Sequence, residues 1–167
     1  MAALRLPTEP AARGLALLGA IAAAALVSAL LLQYVAGLEP CHLCILERFP
    51  YLGVVLVAVL GLWLGRPRPA LAIVALLLAL DAGLAAYHVG VEQGVFSLPE
   101  SCAAVGQAAT LEDLRAQLAA APARCDQVPL RVLGLSLAGW NGVLAAGLAL
   151  LSLALLVVTG RRPAVSS

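Results

Sequence analysis

An all-α membrane protein, built as a bundle of four transmembrane helices, is the fold class this sequence predicts, and two observations predict it. Of its 167 residues, 63% are hydrophobic and only 11% charged, and the mean hydropathy is +1.02. Soluble domains run at roughly 45–50% apolar and about 25% charged. The apolar residues also gather into four runs, each near the roughly 20 residues a helix needs to cross a bilayer. Leu and Ala fill these runs without the alternation that barrel strands require. The same composition excludes disorder. Ten basic residues, all Arg, against nine acidic ones leave a net charge of +1, which removes the electrostatic case for nucleic acid. The length predicts a single domain over residues 1–167.

The first span covers residues 14–35, with Ser28, Gln33 and Tyr34 as its only polar members. Arg5 and Arg13 precede it and Val27-Ser28-Ala29 resembles a signal cleavage site. A signal's apolar region is only about 7–15 residues, however, and here it continues through Leu30-Leu31-Leu32, so the span is expected to be retained. The second span covers about 45–64 and carries Glu47 and Arg48 in its first turn. The third covers 70–91, with Asp81 inside it and His88 near its end. The fourth covers 139–159.

Arginine placement orients these spans. Arg5 and Arg13, then Arg66 and Arg68, then Arg161 and Arg162 fall on one face, while residues 36–44 and 92–138 form the loops of the other. The positive-inside rule puts both termini in the cytoplasm and every cysteine outside. Within the longer outer loop, residues 111–121 read as a short helix with Thr110 as N-cap, Glu112 and Asp113 in its first turn and Pro122 as its stop. Leu130, Leu133, Leu135 and Leu137 then surround Arg131 and Ser136 ahead of Trp140, a segment expected to lie along the bilayer surface with Trp140 as its anchor.

Cys41-His42-Leu43-Cys44 is the sharpest local feature. Two thiols at this spacing close a small, reducible disulfide, and Cys102 and Cys125 offer a second pair. Three readings stay open: two inert bridges on an oxidising face, a zinc site of four thiols with His42, or a redox relay. Local chemistry favours the relay. Cys44 is read at the start of the second helix, where free amides and the dipole stabilise a thiolate. Arg48, four residues on, shares its helix face and adds a permanent charge. A repeatedly oxidised dithiol needs an electron acceptor. No GxGxxG nucleotide signature occurs in the chain, and a quinone dissolved in lipid would suit a CxxC at the bilayer edge.

The stretch from Leu32 to Arg48, LQYVAGLEPCHLCILER, closely resembles the disulfide bond formation protein B (DsbB) family of bacterial inner-membrane thiol oxidases. The likeness extends over most of the chain, including the segment Leu133 to Asn141 that enters the last span. It implies a protein-dithiol:quinone oxidoreductase with no metal, in which Cys41 and Cys44 form the quinone-coupled disulfide. Cys44 would face the quinone ring, with Arg48 promoting the reaction and His88 close by. Cys102 and Cys125 would exchange with a periplasmic DsbA-like partner, Cys102 being the sulfur attacked. Electrons would leave through ubiquinone or menaquinone. There are departures. Glu92 stands where the family commonly has Gln, with Gln93 next to it, and Leu130 replaces a Trp. His42 either tunes the CxxC or is a solvent-facing spacer. Asp81 matches no family role and is expected to be protonated in an interhelical hydrogen bond. The rivals are an outward reductant exporter, which needs cysteines within spans, a quinone reductase of the vitamin K epoxide reductase type, whose CxxC has another helical context, and a structural protein with inert bridges.

Overall fold

The computed structural model describes residues 9–99, 102, 110–113, 115, 123–128 and 130–160. In lipid a chain has no water for its amides and carbonyls, so each apolar run closes its hydrogen bonds internally as a helix. The helices are α1 (Pro10–Tyr34), α2 (His42–Leu46), α3 (Arg48–Trp63), α4 (Pro67–Glu92) and α5 (Leu137–Gly160). With α2 and α3 taken as one unit, His42–Trp63, there are among the described residues four helices long and apolar enough to cross a membrane. The expected bundle is therefore present.

The helices start earlier than the apolar runs suggest, for identifiable reasons. Pro10 and Pro67 open α1 and α4. At the first helical position proline has a suitable φ and no amide to waste. The second helix begins at His42, capped by Cys41, and breaks at Glu47. Pro50 explains the break: it has no amide for the Leu46 carbonyl, and its ring crowds that carbonyl.

The core lies between the helices. Leu15 and Leu18 of α1, Val54 of α3 and Leu71, Val74 and Leu78 of α4 have no exposed surface. Leu148 and Ala149 of α5 pack into the same cluster, and α4 makes its most extensive contact with α5. Leu17, Leu56, Leu76 and Leu150 face outward instead, the arrangement expected when the surroundings are as apolar as the core. Small residues allow close approach: a Cβ on Gly19 would lie 2.7 Å from the Ala58 Cβ. Two polar side chains of α4 and α5 join these helices. Ser152 donates from α5 to the Leu71 carbonyl of α4 at 2.8 Å, and Arg68 donates to the Thr159 carbonyl, joining the start of α4 to the end of α5.

In the outer loop the Thr110 cap is formed, its Oγ1 accepting the Asp113 amide at 3.1 Å. Residues 111–113 and 115 are helical. Positions 114 and 116–121, along with the Pro122 stop, lie outside the described residues. The segment ahead of Trp140 contains a small antiparallel hairpin, β1 (Arg131–Val132) and β2 (Leu135–Ser136). Leu133 and Gly134, both at positive φ (50° and 85°), turn it, the conformation that suits a two-residue hairpin. Leucine rarely takes that conformation, which is why the alternating leucines read as a plain surface strip. The Trp140 indole donates to the Val132 carbonyl at 2.9 Å and ties the hairpin to the first turn of α5.

Candidate functional site: a dithiol between two cavities

A turn at Val35 and Ala36, with Gly37 at positive φ, closes α1, and the chain then runs through Leu38–Pro40 into Cys41, whose sulfur accepts the Cys44 amide at 3.3 Å. The sequence reading gave this helix-terminal position to Cys44. Because α2 starts at His42, one turn earlier, Cys41 holds it instead. Cys41 and Cys44 carry free thiols with their sulfurs 3.1 Å apart. The Cys44 thiol stabilises the Cys41 thiolate, burial opposes it, and His88, with Nε2 at 3.5 Å, adds a second partner. The balance brings Cys41 down from 9.0 to about 4. His42 is exposed and takes no part.

Both cysteines pack with the second pair, but only Cys44 reaches the larger cavity. Cys41 packs with Cys102, Cys125, Leu43 and Val91 in one buried cluster, and Cys102 and Cys125 are joined as a disulfide. Cys44 lines a cavity of about 360 Å³ whose walls come from α1, the link before Cys41, the α2–α3 joint and α5. Leu26, Ala29, Leu32 and Leu144 make that cavity apolar, and Arg48 and Tyr51 add polar groups to it. The Arg48 guanidinium donates to Gln33 Oε1 of α1 at 2.6 Å. Its neighbour Glu47 pairs with His88 instead.

His88 is brought to the dithiol but not to the large cavity. Its Nδ1 meets Glu47 Oε1 at 2.8 Å, with both side chains buried. Glu47 Oε2 accepts from Asn141 Nδ2 at 3.2 Å, and the same amide donates to Asp81 Oδ2 at 3.1 Å. The expected interhelical hydrogen bond of Asp81 is therefore made, to α5. Asp81 Oδ1 and the Tyr51 hydroxyl are buried without a partner among the described residues. Glu92 is half-buried and borders a second, smaller cavity of about 40 Å³ together with Cys41, Cys44 and His88. Gln93, just past α4, is exposed.

Sequence reasoning missed Glu47 and Asn141 as members of this network. The available signal was their cost: a carboxylate and an amide at the ends of apolar spans need partners. Cys41 and Cys44 Sγ and a His88 ring nitrogen lie within 4.8 Å of one another. The arrangement can exchange a disulfide on one side and hold a flat apolar molecule with a polar rim on the other.

The family model described as disulfide bond formation protein DsbB matches residues 12–155. The chain is 32% identical over 157 residues to a disulfide bond formation protein B of Idiomarina loihiensis, covering 88% of this chain and 84% of the relative. It is 32% identical over 142 residues to the Marinobacter nauticus protein of that name (80% and 84%). Against the Xanthomonas campestris protein the identity is 31% over 147 residues (82% and 86%). No solved structure matches the chain.

Proposed function

Since this chain belongs to the DsbB family of disulfide bond formation proteins, we propose that it reoxidises a periplasmic DsbA-like dithiol protein and passes the electrons to a membrane quinone. Its coarser character follows from the family and the fold: it is a multi-pass membrane oxidoreductase of disulfide bond formation. The observation that carries the finer reading is that Cys44 alone of the CxxC reaches the apolar cavity beside Arg48. Cys41 sits in one buried cluster with Cys102 and Cys125, against which Cys44 also packs.

The thiol steps are those that the family resemblance implies for these four cysteines. A partner thiolate attacks Cys102, the Cys102–Cys125 bond breaks, and Cys125 leaves as a thiolate. Cys125 then attacks Cys41 of the oxidised CxxC and Cys44 leaves. Resolution of both mixed disulfides re-forms Cys102–Cys125, releases the partner as a disulfide and leaves Cys41 and Cys44 with the two electrons. Closure of the Cys41–Cys44 bond returns those electrons to the acceptor. The cavity's volume, apolar walls and guanidinium fit a quinone headgroup, which when bound would supply a two-electron, two-proton acceptor. Arg48 would hold a carbonyl oxygen, and the Glu47–His88 pair would keep charge balanced behind Cys41. The arginine-bearing ends would face the cytoplasm, with both termini, and the cysteines the periplasm of a bacterial inner membrane.

The test is quinone reduction by the purified chain in detergent, fed a reduced DsbA-like protein. Turnover with ubiquinone or menaquinone analogues that disappears in Cys44→Ser supports the relay. No turnover by the unaltered chain with either acceptor overturns it.

A further inference from the structure

We infer that the dithiol form of Cys41 and Cys44, together with His88, is a binding site for a thiophilic divalent cation of the zinc class, and that its occupation and formation of the Cys41–Cys44 disulfide exclude one another. Three donors of the right type converge here: two sulfurs and an imidazole nitrogen within 4.8 Å of one another. Tetrahedral zinc binds sulfur at about 2.3 Å and imidazole nitrogen at about 2.0–2.1 Å, so its ligand atoms lie roughly 3.5–3.8 Å apart. Cys41 Sγ and His88 Nε2 stand 3.5 Å apart already. The sulfurs, 3.1 Å apart, need to separate by roughly 0.7 Å, and Cys44 Sγ, within 4.8 Å of the imidazole, has to come to roughly 3.5 Å from it, both by movement of the half-buried Cys44 side chain.

What surrounds the donors supports the same assignment. A metal-binding histidine generally has its other ring nitrogen held by a carboxylate, which fixes the tautomer and raises ligand basicity. Here His88 Nδ1 is held by Glu47 Oε1 at 2.8 Å, and Glu47 is held in turn by Asn141 at 3.2 Å. The 40 Å³ cavity bordered by Cys41, Cys44, His88 and Glu92 has room for a water as fourth ligand. His42, the histidine that the motif itself offers, is exposed and outside the cluster.

Binding is redox-gated because the thiolate is the ligand. Loading displaces the remaining thiol protons to solvent and moves no electrons. A disulfide has no thiolate to offer. A loaded site would in turn hold both sulfurs away from bond formation, so the cation would arrest turnover at the dithiol stage. That consequence rests on the oxidase reading; the binding does not.

The full-length chain, reduced and freed of reductant without oxygen, is loaded with Zn²⁺ for X-ray absorption and with Co²⁺ for visible spectroscopy. Neither quinone nor partner protein is present, so binding stands or falls apart from the oxidase reading. The expected result is one cation per chain, with zinc scattering from two sulfurs and one imidazole, a tetrahedral cobalt spectrum, and no binding after the CxxC is oxidised. His88→Ala should weaken Zn²⁺ binding by at least about tenfold, and the isosteric Glu47→Gln by about tenfold, with helix content checked by circular dichroism. Sulfur scattering without imidazole in the unaltered chain overturns the site, and that result needs no variant to fold. Unchanged affinity in a folded His88→Ala, or binding lost only when Cys102 and Cys125 are removed, overturns it equally.

Discussion

Cys41 is a buried sulfur just ahead of the second spanning helix, where it caps the five residues of α2. Its acidity is the first thing to measure. The folded value of about 4 lies below the ordinary 9.0, so the thiolate persists on lowering the pH until about that value is reached. In a Cys102→Ala, Cys125→Ala background the reduced protein should keep thiolate absorbance at about pH 6, where an ordinary thiol is only about a thousandth ionised. Loss of that absorbance near pH 9 instead would contradict the assignment. Arg48 is the second residue to test. Its guanidinium reaches across to Gln33 at the cavity wall, and a charge-assisted hydrogen bond contributes about 1.5–3 kcal/mol. Arg48→Met is therefore expected to raise the KM for quinone by at least about tenfold, with the KM for the dithiol protein unchanged. The residues that carry this chemistry were legible because thiols and charges are conspicuous in apolar sequence. The tertiary partnerships were not. The contact of His88 with Cys41 spans 47 positions, and no spacing rule reaches that far.

At the scale of elements, the hairpin and the helix contacts separate what is local from what is not. The Leu133-Gly134 turn places a leucine at φ 50° with 88% of its surface exposed. Asparagine tolerates that conformation better, so Leu133→Asn should keep the hairpin and the Trp140 bond to Val132. It should also weaken association of this segment with lipid vesicles, read as reduced blue shift of tryptophan fluorescence. Gly19 and Ala58 set the approach of α1 to α3. Gly19→Ala puts a methyl 2.7 Å from the Ala58 Cβ, and forced overpacking costs about 1–3 kcal/mol. The thermal midpoint in detergent should fall, and Ala58→Gly in the same chain should recover part of the loss, as neighbours in contact are coupled. Helix existence was readable from the apolar runs; helix starts depended on Pro10, Pro67 and Pro50, whose effects act through the backbone and not through hydropathy. The hairpin was hidden by a leucine in a glycine-like conformation.

For the molecule as a whole, the orientation across the membrane is the property to establish. Arg66 and Arg68 sit at one end of the bundle and Cys41 and Cys44 at the other, and Arg68 is bound to the last turn of α5. With the native cysteines blocked, a membrane-impermeant maleimide applied to intact spheroplasts should label Thr110→Cys and leave Arg66→Cys unlabelled until the membrane is opened. The reverse pattern would invert the topology proposed above. The number of spans was legible because four apolar runs of sufficient length leave few alternatives. The depth of the Glu47–Asn141–Asp81 chain was not, since it depends on α4 and α5 presenting one side chain each to the joint before α3.

That Cys44 reaches the larger cavity and Cys41 does not has a consequence for how such a protein can diverge. The walls beside Cys44 come from α1, α5 and the joint, and the packing around Cys41 comes from the outer loop and the end of α4. Under the proposed function, substitutions that adapt the chain to a different lipid-soluble acceptor would fall on other positions than those that adapt it to a different dithiol protein, save Glu39, Cys44, Leu137 and Ala138, which border both cavities. One lineage could then change its acceptor while keeping its protein partner, and another could do the reverse.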